Sequence, residues 1–158
     1  MFDALSDKAQ LWIYGFSNKL SPSQKGIVQT VFDEFVKSWN AHGKPVKGDF
    51  EILYDRFIVL AAEDTVSGCS IDSSTGILKE LKLLHDIDAM DQNLIFYKIS
   101  EIRSVNRQMF QSLVDRDLIK PDTVVFNLSL THLRELRSGM FERPFSESWH
   151  KEAFRKSA

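Results

Sequence analysis

A chain of 158 residues with a formal net charge of −2 is about one domain long, enough to bury roughly two thirds of the surface its unfolded form exposes. Hydrophobic residues make up 43% and charged residues 27%, with 12 Phe and 3 Trp, so a core can pack without metals or disulfides. The near-neutral balance supplies no global basic field and argues against a nucleic-acid or anionic-membrane partner. Cys69 is the sole cysteine, which excludes an intramolecular disulfide and a multi-cysteine zinc site. The start "MFDALSDKAQ" has neither the basic nor the apolar segment of a signal peptide. The longest apolar run, "FIVLAA" at 57–62, is far shorter than the roughly 20 residues of a spanning helix. The expectation is one cytoplasmic domain over residues 1–158, with no membrane insertion, no structural metal and no cofactor.

In chain order, "LWIYGF" (11–16) reads as a short strand in aromatic and branched residues. "LSPSQKG" (20–26) follows, and it has the outline of a degraded ABC-type LSGGQ signature. Its residues fit a helix start better. Ser21 stands at the N-cap, Pro22 at the first helical position, and Gln24 completes an S-x-x-Q capping box. Ile27, Val28, Val31, Phe32, Phe35, Val36 and Trp39 then advance in steps of three and four along one face. His42 in a last turn and Gly43 beyond it predict the helix end. The two adjacent glycines of the ABC signature are Pro22 and Ser23 here, and proline has no amide hydrogen to offer a phosphate. The nearest fragment to a phosphate loop, "HGKP" (42–45), has Ser38 at the first glycine position and Pro45 at the hydroxyl position.

"GDFEILYDRFIVLAAED" (48–64) is the strongest strand signal. Phe50, Ile52 and Tyr54 alternate with polar residues before the continuous run at 57–62, and a tight hairpin near 54–56 is expected, one long bent strand being the alternative. A second helix carries Ile77, Leu78, Leu81 and Leu84 on one face, with Asp72 as its N-cap and Ser73 next in preference. "NLIFYKI" (93–99) closes the order β-α-β-β-α-β. The fold class this predicts is α+β, with a ferredoxin-like βαββαβ core over about 9–99: two helices on one face of a four-stranded antiparallel sheet. A C-terminal α/β extension over about 100–158 completes it. There a third helix is predicted from Ile102, Val105, Met109, Phe110 and Leu113, then a strand at 123–128 and a short helix at 129–136. Phe145, Trp149 and Phe154 predict a tail that docks on the body. The extension either covers the open sheet face or lengthens its edge.

The candidate site is "SGCSIDSS" (67–74), which follows a hydrophobic strand and opens a helix. Helix-end amides attract anions, Gly68 allows a tight turn, and Ser67, Ser70, Ser73 and Ser74 carry hydroxyls beside Cys69 and Asp72. Three readings stand side by side: a structural turn, a loop binding a small anion or small molecule, and a thiol activated by the helix end. Arg56 and His42 are the side chains a neighbouring element would bring to it. A phosphatase-type C-x5-R loop is absent, position 75 being Thr. The four histidines never fall two to a helical turn. The tryptophans read as core or interface anchors, and "RELRSGMFER" (134–143) as a solvated helix face or a local contact surface. The functional expectation is a non-catalytic ligand-binding or regulatory module. Its alternative is an interaction module that forms a homodimer or holds another protein.

With "LWIY" (11–14), "SWNAHGKPVKGDFEILYDRFIV" (38–59), "SGCSID" (67–72) and "SWH" (148–150) in this order, the chain resembles a small family of uncharacterised Bacteroidetes proteins. Members often carry the label "ABC transporter ATPase". The resemblance implies a cytoplasmic bacterial protein, and it brings no catalytic residue with it.

Overall fold

The computed structural model describes residues 2–63 and 68–157, those from 68 to 72 by their backbone alone. Helix α1 (Pro22–Ser38) begins as its sequence dictates. The Ser21 hydroxyl accepts the Gln24 amide at 3.2 Å, and the Gln24 side chain accepts the Ser21 amide at 2.9 Å. Val28, Phe32 and Phe35 form its buried face. Ser21→Ala removes one half of this reciprocal cap and is expected to cost about 1 kcal/mol in urea unfolding. The helix ends earlier than predicted. Trp39 is its C-cap, and His42 and Gly43, at φ 54° and 78°, form the tight turn between β2 (Asn40–Ala41) and β3 (Lys44–Pro45).

Strands β1 (Gln10–Gly15), β4 (Gly48–Leu53) and β5 (Phe57–Ala62) make an antiparallel sheet in the order β1-β5-β4. The hairpin near 54–56 is present. Tyr54 and Asp55 both have positive φ (55° and 53°), and the Arg56 amide donates to the Leu53 carbonyl at 3.0 Å, the pattern of a type I′ turn. Every residue of β5 is buried. Ile58, Leu60 and Ala62 face α1 and α2 (Gly68–His85), packing on Phe32, Leu78 and Leu81. Phe57, Val59 and Ala61 face the other way.

The four-stranded sheet expected of a ferredoxin-like core is where the structure departs. β6 (Leu94–Ile99) does not lie beside β1. It pairs with β7 (Glu101–Asn106) and β8 (Val124–Phe126) in a second antiparallel sheet, ordered β7-β6-β8-β9, with β9 at Glu142–Pro144. Phe96, Phe126, Leu130, Leu133 and Phe141 cover the inner face of the first sheet. On the outer face of the second, Ile95, Tyr97 and Val125 pack on Phe110 and Val114 of α3 (Arg107–Asp115) and on Phe154, which follows α5 (Trp149–Ala153). The layers therefore run helix, sheet, sheet, helix. Of the two open options for the extension, it covers the sheet face, and Phe154 docks the tail.

Two predicted helical faces are corrected. Ile102 and Val105 belong to β7: Ile102 packs inward with the first sheet and Val105 outward with α3, opposite sides of one strand. The helix begins only at Arg107. Leu84 is exposed rather than on the buried face of α2, as is Leu83 beside it. The short helix expected at 129–136 forms later, as α4 (Leu133–Arg137).

Candidate functional site

Most of the 67–74 segment falls outside what the structure describes: Ser67 entirely, and the side chains of Cys69, Ser70, Ile71 and Asp72. One correction still follows. Helix α2 starts at Gly68, so Asp72 lies within the helix and is not its N-cap. Ser74 is fully buried and its hydroxyl bonds the phenol of Tyr14, tying α2 to β1, while Ser73 is exposed. Arg56 stands at the opposite end of β5, about 20 Å along the strand from Ala62, and His42 is in an exposed turn. Arg56 therefore does not share a site with Gly68, whereas the turn that carries His42 follows β2, which contacts α2. Arg56 instead joins the sheets: its guanidinium donates to the Ser104 hydroxyl at 2.9 Å and lies over the Phe96 ring.

What the structure brings together is elsewhere. β6 and β8 are in register only at Tyr97–Val125 and Lys98–Val124. Beyond that, β6 continues back to Leu94 while the chain after Phe126 leaves and crosses to β1, where Gln10 and His132 form an isolated bridge. The splay opens a groove of about 660 Å³ along β1, lined among others by Leu94, Phe126 and Leu128 and by Arg107, Trp149 and His150.

Arg107 is the first residue of α3, placed there by the Asn106 cap, whose side chain accepts the Met109 amide at 2.8 Å. A cation in the first turn opposes the helix dipole. Its guanidinium lies 4.9 Å from the Phe154 ring centre and 5.9 Å from that of Trp149. Among the described residues it has no ion pair or hydrogen bond, so its N–H groups are uncommitted. Trp149 is held by its indole N–H on the Asn127 carboxamide oxygen (3.2 Å) and by stacking on His150, with ring centres 3.9 Å apart. It keeps 39% of its surface exposed.

His150 is buried, and its Nδ1 is 2.6 Å from the Ser148 hydroxyl. Burial, with the positive charge of Arg107 added, lowers its pKa to about 4. A serine beside a histidine suggests a nucleophile and its base. An imidazole held neutral with so low a pKa is a weak base at neutral pH, and among the described residues no carboxylate is bonded to it. The contact positions the Trp149–His150 stack.

A second groove of about 640 Å³ lies at the other edge of the two sheets, beside Tyr54, Arg137 and Phe141. Its polar groups are already engaged. The Tyr54 hydroxyl bonds Glu142, which raises its pKa to about 12, and Arg137 binds Asp7 and the carbonyls of Phe2 and Leu5. Only the first groove presents an uncommitted cation beside an exposed aromatic ring.

Among the described residues no cluster of His, Cys, Asp and Glu is placed to hold a metal, and no helix is long and apolar enough to cross a membrane. No family model, curated protein or solved structure matches the chain. Sequence reasoning missed this site because its parts come from five separate segments. The one local signal was "SWH" (148–150), an aromatic pair in an otherwise polar tail.

Proposed function

We propose that the protein is a non-catalytic ligand-binding module, cytoplasmic and regulatory in role, whose site is the groove along β1. The preferred ligand is an organic anion with an apolar body. The observation that carries this is Arg107, unpaired among the described residues and set over two aromatic rings in the lining of the groove. A charge-assisted bond to its guanidinium would meet a carboxylate while Trp149, Leu94 and Leu128 receive the apolar part. Phenylpropionate is expected to change the tryptophan fluorescence saturably, its neutral amide to bind about tenfold more weakly, and Arg107→Ala to erase that difference. Equal response to acid and amide in the wild-type chain would defeat the reading.

Nucleotide hydrolysis has no place in it. "LSPSQKG" is a helix cap, and "HGKP" is the exposed β2–β3 turn together with β3. A phosphate-release assay is expected to show no turnover of ATP above a protein-free blank.

Self-association is the second reading. Leu83 and Leu84, 82% and 68% exposed on the last turns of α2, favour it. A dimer in light scattering that Leu83→Lys dissolves, without any response to carboxylates, would put it first.

A further inference from the structure

The polar surface of the groove is mostly main chain. In an antiparallel strand, alternate residues direct both N–H and C=O to the same side. The Phe16 amide points toward the β4–β5 hairpin, donating to the Arg56 carbonyl at 2.7 Å, so Leu11, Ile13, Gly15 and Ser17 point to the free edge of β1. At one end of that edge the Leu11 amide donates to Thr131 at 2.9 Å, and at the other the Ser17 amide donates to Asp88 at 2.8 Å. Between these two points the Leu11 carbonyl and both peptide groups of Ile13 and Gly15 have no partner among the described residues. The gap is about 20 Å long, with the chain around Ala89–Gln92 and around Ser129–Thr131 as its walls.

Exposed sheet edges are normally guarded by charge or proline. β4, the other edge of this sheet, carries Asp49 and Glu51, whereas β1 reads "QLWIYG" with neither charge nor proline. The position beside β1 is also where a ferredoxin-like core would seat its fourth strand, and β6 has gone to the second sheet instead.

We propose that the groove receives an extended peptide segment of another protein as an added strand on β1, with an acidic side chain of that segment on Arg107. This rests on the groove being the ligand site and names the ligand as a peptide. Its backbone satisfies the unpaired edge groups, and β-branched side chains enter between Leu94, Leu128 and Trp149.

The test uses the full chain and the acetylated, amidated pentapeptide VEVTV, with VKVTV and two forms of VEVTV methylated at alternate amides, one for each register. Tryptophan fluorescence reports entry into the groove, and hydrogen exchange of the Ile13 and Gly15 amides reports strand pairing. VEVTV is expected to slow exchange at both amides. VKVTV, and VEVTV against Arg107→Ala, are expected to bind about tenfold more weakly. One of the two methylated forms is expected to lose binding. Fluorescence change from both methylated forms, with no protection at Ile13 and Gly15, would overturn strand addition and leave the groove as a small-ligand site. No response in either measurement would overturn the peptide ligand and, if phenylpropionate is also silent, the site itself.

Discussion

Phe57→Ala is expected to destabilise the fold by about 3–5 kcal/mol, the largest effect of any single truncation considered. The ring is fully buried on the inner face of β5. It meets Phe96 edge-on at 5.0 Å between centres, Phe141 at 5.1 Å and Phe126 at 5.1 Å, so it touches β6, β8 and the residue before β9 at once. Phe96 reaches it only because residue 15 is glycine: a Cβ there would run into the Phe96 ring. The cavity left by Ala would therefore sit at the seam between the two sheets, where neither sheet can close on it alone. Urea unfolding would show a fall in midpoint with an unchanged slope. Leu83→Ala, at an exposed position, is the control and is expected to change stability by less than about 0.5 kcal/mol. A loss below about 1 kcal/mol for Phe57→Ala would mean that the second sheet is not packed on the first through this ring.

The second large effect is a pH dependence set by His150. Its pKa falls from 6.5 to about 4 on folding, so between those values the unfolded chain binds a proton that the folded chain does not. Stability is then fully present above about pH 6.5, declines as pH falls, and stops declining from this group below about pH 4. The shift corresponds to an upper bound of about 3 kcal/mol. The carboxylates of Glu63, Asp115, Asp117, Glu135 and Glu152 also lose favourable partners in acid, their folded pKa values being lowered by hydrogen bonds from Ser6, Ser157, Lys156, Thr131 and Arg155 respectively. They titrate below their ordinary values of 4.5 and 3.8, so the interval from pH 6.5 to about 5 isolates the histidine. His150→Phe keeps an aromatic ring against Trp149, Phe110 and Phe154 and is expected to flatten stability across that interval. Equal slopes for wild type and variant would show that His150 titrates normally.

Local structure was legible in the sequence where a local rule governs it. The capping box at Ser21 and the tight hairpin near 54–56 involve neighbours within a few residues, and both form, the hairpin through a type I′ turn at Tyr54–Asp55. β7 was misread because Ile102 and Val105 stand three apart, a helical step that also places residues on opposite faces of a strand. That ambiguity resolves only if both faces are covered, and β7 has the first sheet on one side and α3 on the other. The same information was present in β5. A run of six buried residues without alternation is what a strand covered on both faces looks like, and a sheet with one open face would have alternated. The destination of β6 was not legible, since its sequence suits either sheet and the choice depends on Phe96 meeting Phe57 across Gly15.

The site divides the same way. Helix-start chemistry drew attention to 67–74, because serines, a glycine and a cysteine lie together there in sequence. The groove uses Arg107, Trp149 and the main-chain edge of β1, three segments spread over more than a hundred residues of the chain. An unpaired strand edge has no residue signature beyond the lack of guarding charges in "QLWIYG", and an unpaired arginine cannot be told from a paired one without the fold.

Amide chemical-shift mapping of the full chain against a fragment set containing aromatic carboxylates and short blocked peptides tests the groove most directly. The expected result is that shifts concentrate at residues 11–15, at the Arg107 side chain and at the Trp149 indole N–H, with carboxylates ahead of their neutral analogues. Shifts confined to the start of α2 at Gly68, or to the second groove around Tyr54 and Phe141, would contradict the assignment of the site to the edge of β1.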